Sequence, residues 1–163
     1  MVLRIGIGSF RSSTDWMMNT TESEWMWQLY AEGNGVAIES TYSRLRAALP
    51  NWIWIHEVEY IDYEEDSMIE WHSLAPFFYK RQEFADEREL RAVIEVFPVG
   101  DPRRLGTTPL RKGHLIEVDV SRVVSRVIVS PSPTPDILKR VTQLVEPFGI
   151  PIAISSLDKI PRW

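Results

Sequence analysis

The chain contains no cysteine, which removes a disulfide framework, thiol catalysis and thiolate metal sites together. Histidine is scarce, with three residues. His56, His72 and His114 lie far apart, without i, i+4 spacing or a neighbouring ligand-type carboxylate, so no metal site is expected. There are eight glycines, and none falls into a G-x-G-x-x-G run, a phosphate loop or a G-x-S-x-G elbow. Gly6-Ile7-Gly8-Ser9 follows a strand-like stretch but lacks the third glycine of a dinucleotide fingerprint. No apolar run reaches the ~18 residues that a bilayer span needs. Met1–Phe10 is too short for a signal peptide and has no cleavage site, so a cytoplasmic location without membrane contact is expected. Positive charge is the minority, with 18 Lys and Arg against 23 Asp and Glu and a net charge of −5. The basic residues are scattered, and no nucleic-acid partner is expected.

What the chain has in surplus is tryptophan. Seven occur in 163 residues, five of them before residue 55. Each can bury up to ~250 Å², so they build either an aromatic core or an aromatic contact surface. The length suits a single domain with enough surface buried, roughly 68–70%, to hold a core without staples.

Periodicity orders the elements. Val2–Gly8 reads as a strand and the polar stretch 9–15 as a loop. Thr21 with Glu24 reads as a capping box opening a helix to Glu32, ended by Gly33. Trp25, Met26, Leu29 and Tyr30 form one stripe of that helix, with Trp27 on the opposite side. Such a helix is sandwiched between layers or lies at an interface. Residues 35–40 read as a short buried strand, 41–49 as a helix, and 52–61 as one aromatic strand, with Trp52 and Trp54 placed in the core. Residues 68–85 read as a helix interrupted at Pro76, 89–97 as a strand, and 99–113 as a Gly/Pro-rich loop. His114–Val120 alternates as a strand, followed by a strand at 126–130. A helix capped by Thr134 with Pro135 at its first position ends at Gly149, before a final strand at 151–156. The order predicts an α+β fold, a mixed and mostly antiparallel sheet with three to four packed helices.

The densest polar run is Tyr79 to Arg91. On a strand starting at Glu89, Glu89 and Arg91 share a face and can form a charge-assisted pair. That pair can tie a helix to the sheet or orient a substrate phosphate or ribose. The candidate catalytic residues are Glu87 and Glu89, with Glu39 a further carboxylate if it converges on them. Arg91, Lys80, Arg81, Glu39 and Tyr30 are the candidate binding residues. Trp27 and Trp163, if exposed, would form a homodimer contact. No cofactor is implied.

Four segments also carry a resemblance: residues 19–49, Val58–Asp66, Pro76–Ile94 and Ser155–Pro161. Their most specific pieces are Met26-Trp27 followed by Tyr30, Gly35-Val36-Ala37-Ile38, and Phe84 followed by Glu87, Glu89 and Arg91. In order and spacing they resemble the bacterial family called domain of unknown function 2971, over nearly the whole chain. The resemblance implies no settled activity. It also implies an N-terminal segment that this chain lacks, a Cys-Trp-His run where it has Asp15-Trp16-Met17, and a His where it has Asp86. Some members are similar in layout to ADP-ribosyltransferases. On that analogy Glu87 or Glu89 would stabilise an oxocarbenium-like ribose as nicotinamide leaves.

Two functions follow as expectations. The first is a ligand- or partner-binding α+β domain without catalysis, forming a homodimer. The second is a small enzyme acting on a nucleotide-like ligand through the 79–91 run.

Overall fold

The computed structural model describes residues 2–8, 11–31, 34–69, 72–95 and 113–157, with backbone alone at 2–13, 95 and 113–115. The fold is α+β. In chain order its strands are β1 (Val2–Gly8), β2 (Arg11–Met17), β3 (Val36–Glu39), β4 (Trp54–Glu57), β5 (Glu59–Ile61), β6 (Tyr79–Arg81), β7 (Glu89–Glu95), β8 (Gly113–Glu117), β9 (Arg126–Val129) and β10 (Ile152–Ile154). Its helices are α1 (Glu24–Ala31), α2 (Tyr42–Ala48), α3 (Val120–Val123) and α4 (Pro135–Val145). Strand pairing is mostly antiparallel, with β9–β10 and β5–β6 parallel. Backbone contacts gather the chain into two compact units.

One unit combines Val2–Asn19 with Leu49–Glu117. Its five-stranded sheet runs β4-β7-β2-β1-β8, and β5 and β6 form a separate pair. The stretch read as a polar loop after β1 is instead the central strand β2, which is paired on one side with β1 and on the other with β7 from Arg11↔Glu95 to Met17↔Glu89. Strand propensity is low there, and two flanking ladders override it. The stretch read as one aromatic strand is two. The chain breaks at buried Val58, whose N–H goes to the Glu89 carbonyl at 2.8 Å, so that β4 joins the large sheet and β5 pairs with β6. Trp52 and Trp54, expected in the core, are both exposed. Trp54 lies on a sheet-edge strand, and its ring packs on His72 with centroids 4.6 Å apart. The expected helix at 68–85 is replaced by a 3-10 turn at Ala75–Phe78, β6, and a second 3-10 turn at Gln82–Glu87. Pro76 lacks the N–H that a longer helix would use and sits in the opening positions of the first turn.

Buried Leu74, Phe78 and Val93 form the core beneath this segment, with Phe77 packed against them. Residues 72–87 therefore cover the sheet face that carries Glu89, Arg91 and Val93. Asp15 and His56, both opposite Arg91 in register, lie on that face.

The other unit combines Thr20–Ala48 with Val118–Trp163. Its three-stranded sheet runs β10-β9-β3. Thr134 caps α4, accepting from the Ile137 N–H, with Pro135 in the first turn, and Gly149 adopts φ 62° beyond its end, as the sequence predicts. The strand expected over 114–120 stops at Glu117. Asp119 then accepts from the Ser121 N–H and opens α3. Arg44 caps the far end of α3, donating to the carbonyls of Ser121, Arg122 and Val124 at 3.1, 3.2 and 3.4 Å.

The helix expected from Thr21 begins at Glu24, with Ser23 accepting from the Met26 N–H at 3.4 Å. Its first turn is tied to the end of β10, because Glu22 accepts from the Ser156 N–H and Oγ at 3.1 and 3.3 Å and from the Trp27 Nε1 at 3.1 Å. Its last residue touches the start of β3, where a Cβ on Gly35 would stand 2.4 Å from that of Ala31. Gly35 in turn accepts from Ser130 beyond β9 at 3.0 Å. A helix of eight residues is about 12 Å long, and two strand spacings are about 10 Å. α1 thus runs across the end of the sheet from β10 to β3. β3, expected to be buried, has Val36 and Ile38 exposed, because it is a sheet edge. The loop expected at 99–113 lies outside the described residues except at Gly113, as do Gly33 and Trp163.

Candidate functional site

Four of the expected site residues come together in the unit containing the five-stranded sheet. β6 supplies Lys80, the turn after it supplies Glu87, and β7 supplies Glu89 and Arg91. Lys80 Nζ touches the Glu87 carboxylate and lies 2.9 Å from Glu89 Oε1. The other Glu89 oxygen takes Arg91 Nε and Nη2 at 2.8 and 2.6 Å. Arg91 Nη1 reaches the Phe77 carbonyl at 2.6 Å, and its Nε lies 3.3 Å from Asp15 on β2. Phe84 completes the wall, with Lys80 Nζ 4.8 Å from its ring centre. The side chains of Lys80, Glu87, Glu89 and Arg91 keep only 11–23% of their surface exposed.

Partial burial makes the protonation states interdependent. The hydrogen bond Glu87 gives to Glu89, followed by burial, pushes the Glu87 carboxyl above its ordinary value. Burial works to raise Glu89 too, but the hydrogen bonds from Glu87 and Lys80 and the charge of Arg91 outweigh it and hold Glu89 low. Burial opposes the charge on Lys80, yet its two glutamate partners raise its pKa. A proton added to the carboxylate pair therefore goes to Glu87. Between the two glutamates the backbone of Arg88 adopts the left-handed conformation, φ 43° and ψ 58°. This costs a residue with a Cβ ~1 kcal/mol. The strain is held by two bonds: Arg88 N–H to the Ala85 carbonyl at 3.2 Å, and Met18 N–H to the Arg88 carbonyl at 2.8 Å.

In this cluster each cation is committed. Lys80 answers two glutamates, and Arg91 answers Glu89, Asp15 and a carbonyl. An anionic ligand such as a phosphate needs a donor whose charge is not already spent on carboxylates. The arrangement is that of a staple holding residues 72–87 to the sheet. Arg81 lies apart from it, exposed, with its guanidinium 4.5 Å from the Tyr63 ring centre.

The remaining candidates belong to the other unit. Glu39 accepts from Arg126 Nη2 at 2.5 Å and from Ser125 Oγ at 3.3 Å. Tyr30 is exposed on α1, and Trp27 is half-buried and bound to Glu22. Sequence reasoning missed Asp15, which meets Arg91 only through the β2–β7 register. It missed Tyr60, whose hydroxyl accepts from the Glu89 N–H at 2.9 Å. It missed Glu22 with Ser155 and Ser156, whose hydrogen bonds outweigh the effect of burial and hold the Glu22 carboxyl low. No group of three or more His, Asp or Glu that could hold a metal occurs among the described residues. No family model, no curated protein and no solved structure matches this chain.

Proposed function

We propose that the protein is a partner-binding α+β domain whose contact surface is the apolar face of α1. One observation carries this reading. α1, with sequence EWMWQLYA, buries none of its residues, and Trp25, Leu29 and Tyr30 stand 48%, 51% and 67% exposed on the expected stripe. Aromatic side chains left in water on a helix that is tied down at both ends are the raw material of a contact hot spot. The half-buried charge cluster of the other unit has its cations matched to carboxylates and leaves little for a ligand. A photo-crosslinking amino acid at position 25 or 30, compared with the same probe at Lys139 on the exposed side of α4, tests this. One adduct mapped to a defined protein surface, and absent from the Lys139 control, is expected. Adducts no more frequent than the control overturn it.

A second reading rests on Arg88 and the glutamates beside it. Backbone strain collects at sites that act, and two carboxyls pushed in opposite directions divide into an acid and an anion. On this reading Glu87 donates a proton and Glu89 stabilises positive charge developing on a nucleotide-like substrate. A dinucleotide at 100 times its dissociation constant would add about 2.7 kcal/mol of stability. A thermal-shift screen without any such shift ends this reading.

A further inference from the structure

We infer that the partner is a second copy of this chain, joined edge to edge through β3 about a two-fold axis, so that the two three-stranded sheets become one of six strands. This rests on the partner-binding reading and names its occupant.

The argument begins with the edge itself. Among the described residues no strand pairs with β3 on the side away from β9. Edge strands are commonly blunted by lysine, proline or a bulge. The edge at β10 follows Pro151, whereas Val36-Ala37-Ile38 carries no charge, no proline and two exposed apolar side chains. The one charge on β3, Glu39, is at its end and is already paired with Arg126.

Backbone alternation then fixes which groups are on offer. Gly35 accepts from Ser130 on the β9 side. Antiparallel ladders alternate along the strand, so Ala37 also turns its backbone toward its β9 partner Ile128, while the N–H and C=O of Val36 and Ile38 face outward. A two-fold axis perpendicular to the sheet keeps each face on its own side, so only residues of the same parity can lie opposite one another. Centring on Ala37 satisfies both conditions. Val36 then lies opposite Ile38 of the second copy, and each such pair exchanges both backbone hydrogen bonds. In that register Glu39 faces Gly35 of the second copy, where there is no side chain to crowd it. The strand is thus complementary to itself, as an isologous contact requires.

Area supports the same occupant. α1 ends against Gly35, and Tyr42 opens α2 three residues after β3. The exposed parts of Trp25, Leu29, Tyr30, Val36, Ile38 and Tyr42 amount to roughly 600 Å² of apolar surface at ~200 Å² for a whole side chain. A stable interface takes about 800 Å² from each partner, polar rim included. These residues all belong to one unit.

Sedimentation of the full chain, with a mass of 18.9 kDa, tests the inference alongside Ile38→Pro, Ile38→Lys and Leu29→Glu. Proline at 38 removes an outward N–H and no β9 bond, so folding tolerates it, and circular dichroism checks that it does. Lysine repeats the test without touching the backbone. The wild type is expected at twice the chain mass. Both Ile38 variants are expected to dissociate: proline raises the dissociation constant about a hundredfold through two symmetric hydrogen bonds lost, and lysine weakens the dimer by setting a charge on the apolar edge of each copy. A wild type that stays monomeric at millimolar concentration overturns the inference, while an adduct to another protein at positions 25 or 30 would leave the partner-binding reading standing. A dimer untouched by both Ile38 variants but broken by Leu29→Glu also overturns it and keeps the α1 surface. A dimer indifferent to all three sinks both.

Discussion

The two units carry different features, one a half-buried charge cluster and the other an apolar helix stripe beside an apolar sheet edge. The five-stranded unit takes charge inside and leaves its cations matched: Lys80 and Arg91 are held by Glu87, Glu89, Asp15 and the Phe77 carbonyl. The three-stranded unit takes apolar surface outside and leaves it uncovered, on α1 and on the edge strand β3. A satisfied polar cluster inside a fold is consistent with a structural role. An apolar surface on a firmly anchored helix is not explained by stability, since it contributes little while it faces water. The contrast teaches that charges dense in the sequence can be matched to one another in the fold, while apolar side chains spaced for burial can stand in water.

Breaking the cluster is the severest test of the comparison. Glu89→Gln leaves two half-buried cations short of a carboxylate and is expected to cost about 3 kcal/mol, read by urea denaturation. Glu87→Gln keeps a donor toward Glu89 and leaves Lys80 paired with Glu89, and is expected to cost less than about 1 kcal/mol. A smaller cost for Glu89→Gln than for Glu87→Gln would contradict the assignment of the proton. Next in size is Gly35→Ala, whose Cβ would meet that of Ala31 at 2.4 Å. It is expected to cost about 2 kcal/mol by forcing α1 away from β3, and to weaken self-association with it.

The pH dependence follows from the directions of the shifts. Glu89 lies below its ordinary value of 4.5 in the folded state, so its stabilisation is complete above that value and lost as pH falls through the folded pKa. Lys80 lies above 10.5, so its share is complete below that value and lost as pH rises through the folded pKa. Glu87 lies above 4.5, so it favours the fold on the acid side and gives that up as pH climbs past its folded value. Urea midpoints of the wild type should therefore fall at both extremes, and Glu89→Gln should flatten the acid limb. The smallest effect belongs to Arg88→Gly. Relief of the left-handed backbone should add up to ~1 kcal/mol, and a loss instead would give the Arg88 side chain a role beyond the turn.

What the residues disclosed in advance has a physical pattern. α4 was legible because cap, proline and glycine are local chemistry, and so was β7 with its two charged side chains on one face. Lys80, Glu87, Glu89 and Arg91 could be grouped from sequence because they are close in the chain. β2 was hidden, since Arg11-Ser-Ser-Thr-Asp earns its strand only from ladders on both sides. The helix expected at 68–85 failed because a segment that covers a sheet face can bury Phe78 and Tyr79 without helical period. Trp54 was misplaced because hydrophobicity does not say which strand will be an edge, and Trp52 because it falls in the turn before β4 rather than on a strand. Tyr30 and Glu39, though named in advance with the cluster, carry a different part of the molecule, a surface stripe and a sheet-end ion pair.

The measurement closest to the central claim is the folding stability of Leu29→Glu, taken by urea denaturation at a concentration where the protein is monomeric. If the α1 stripe is a surface waiting for a partner, stability should stay within about 0.5 kcal/mol of the wild type while self-association is lost. A variant destabilised by the ~2–5 kcal/mol typical of a disrupted core leucine would show that α1 is packed inside the fold, and would contradict the account.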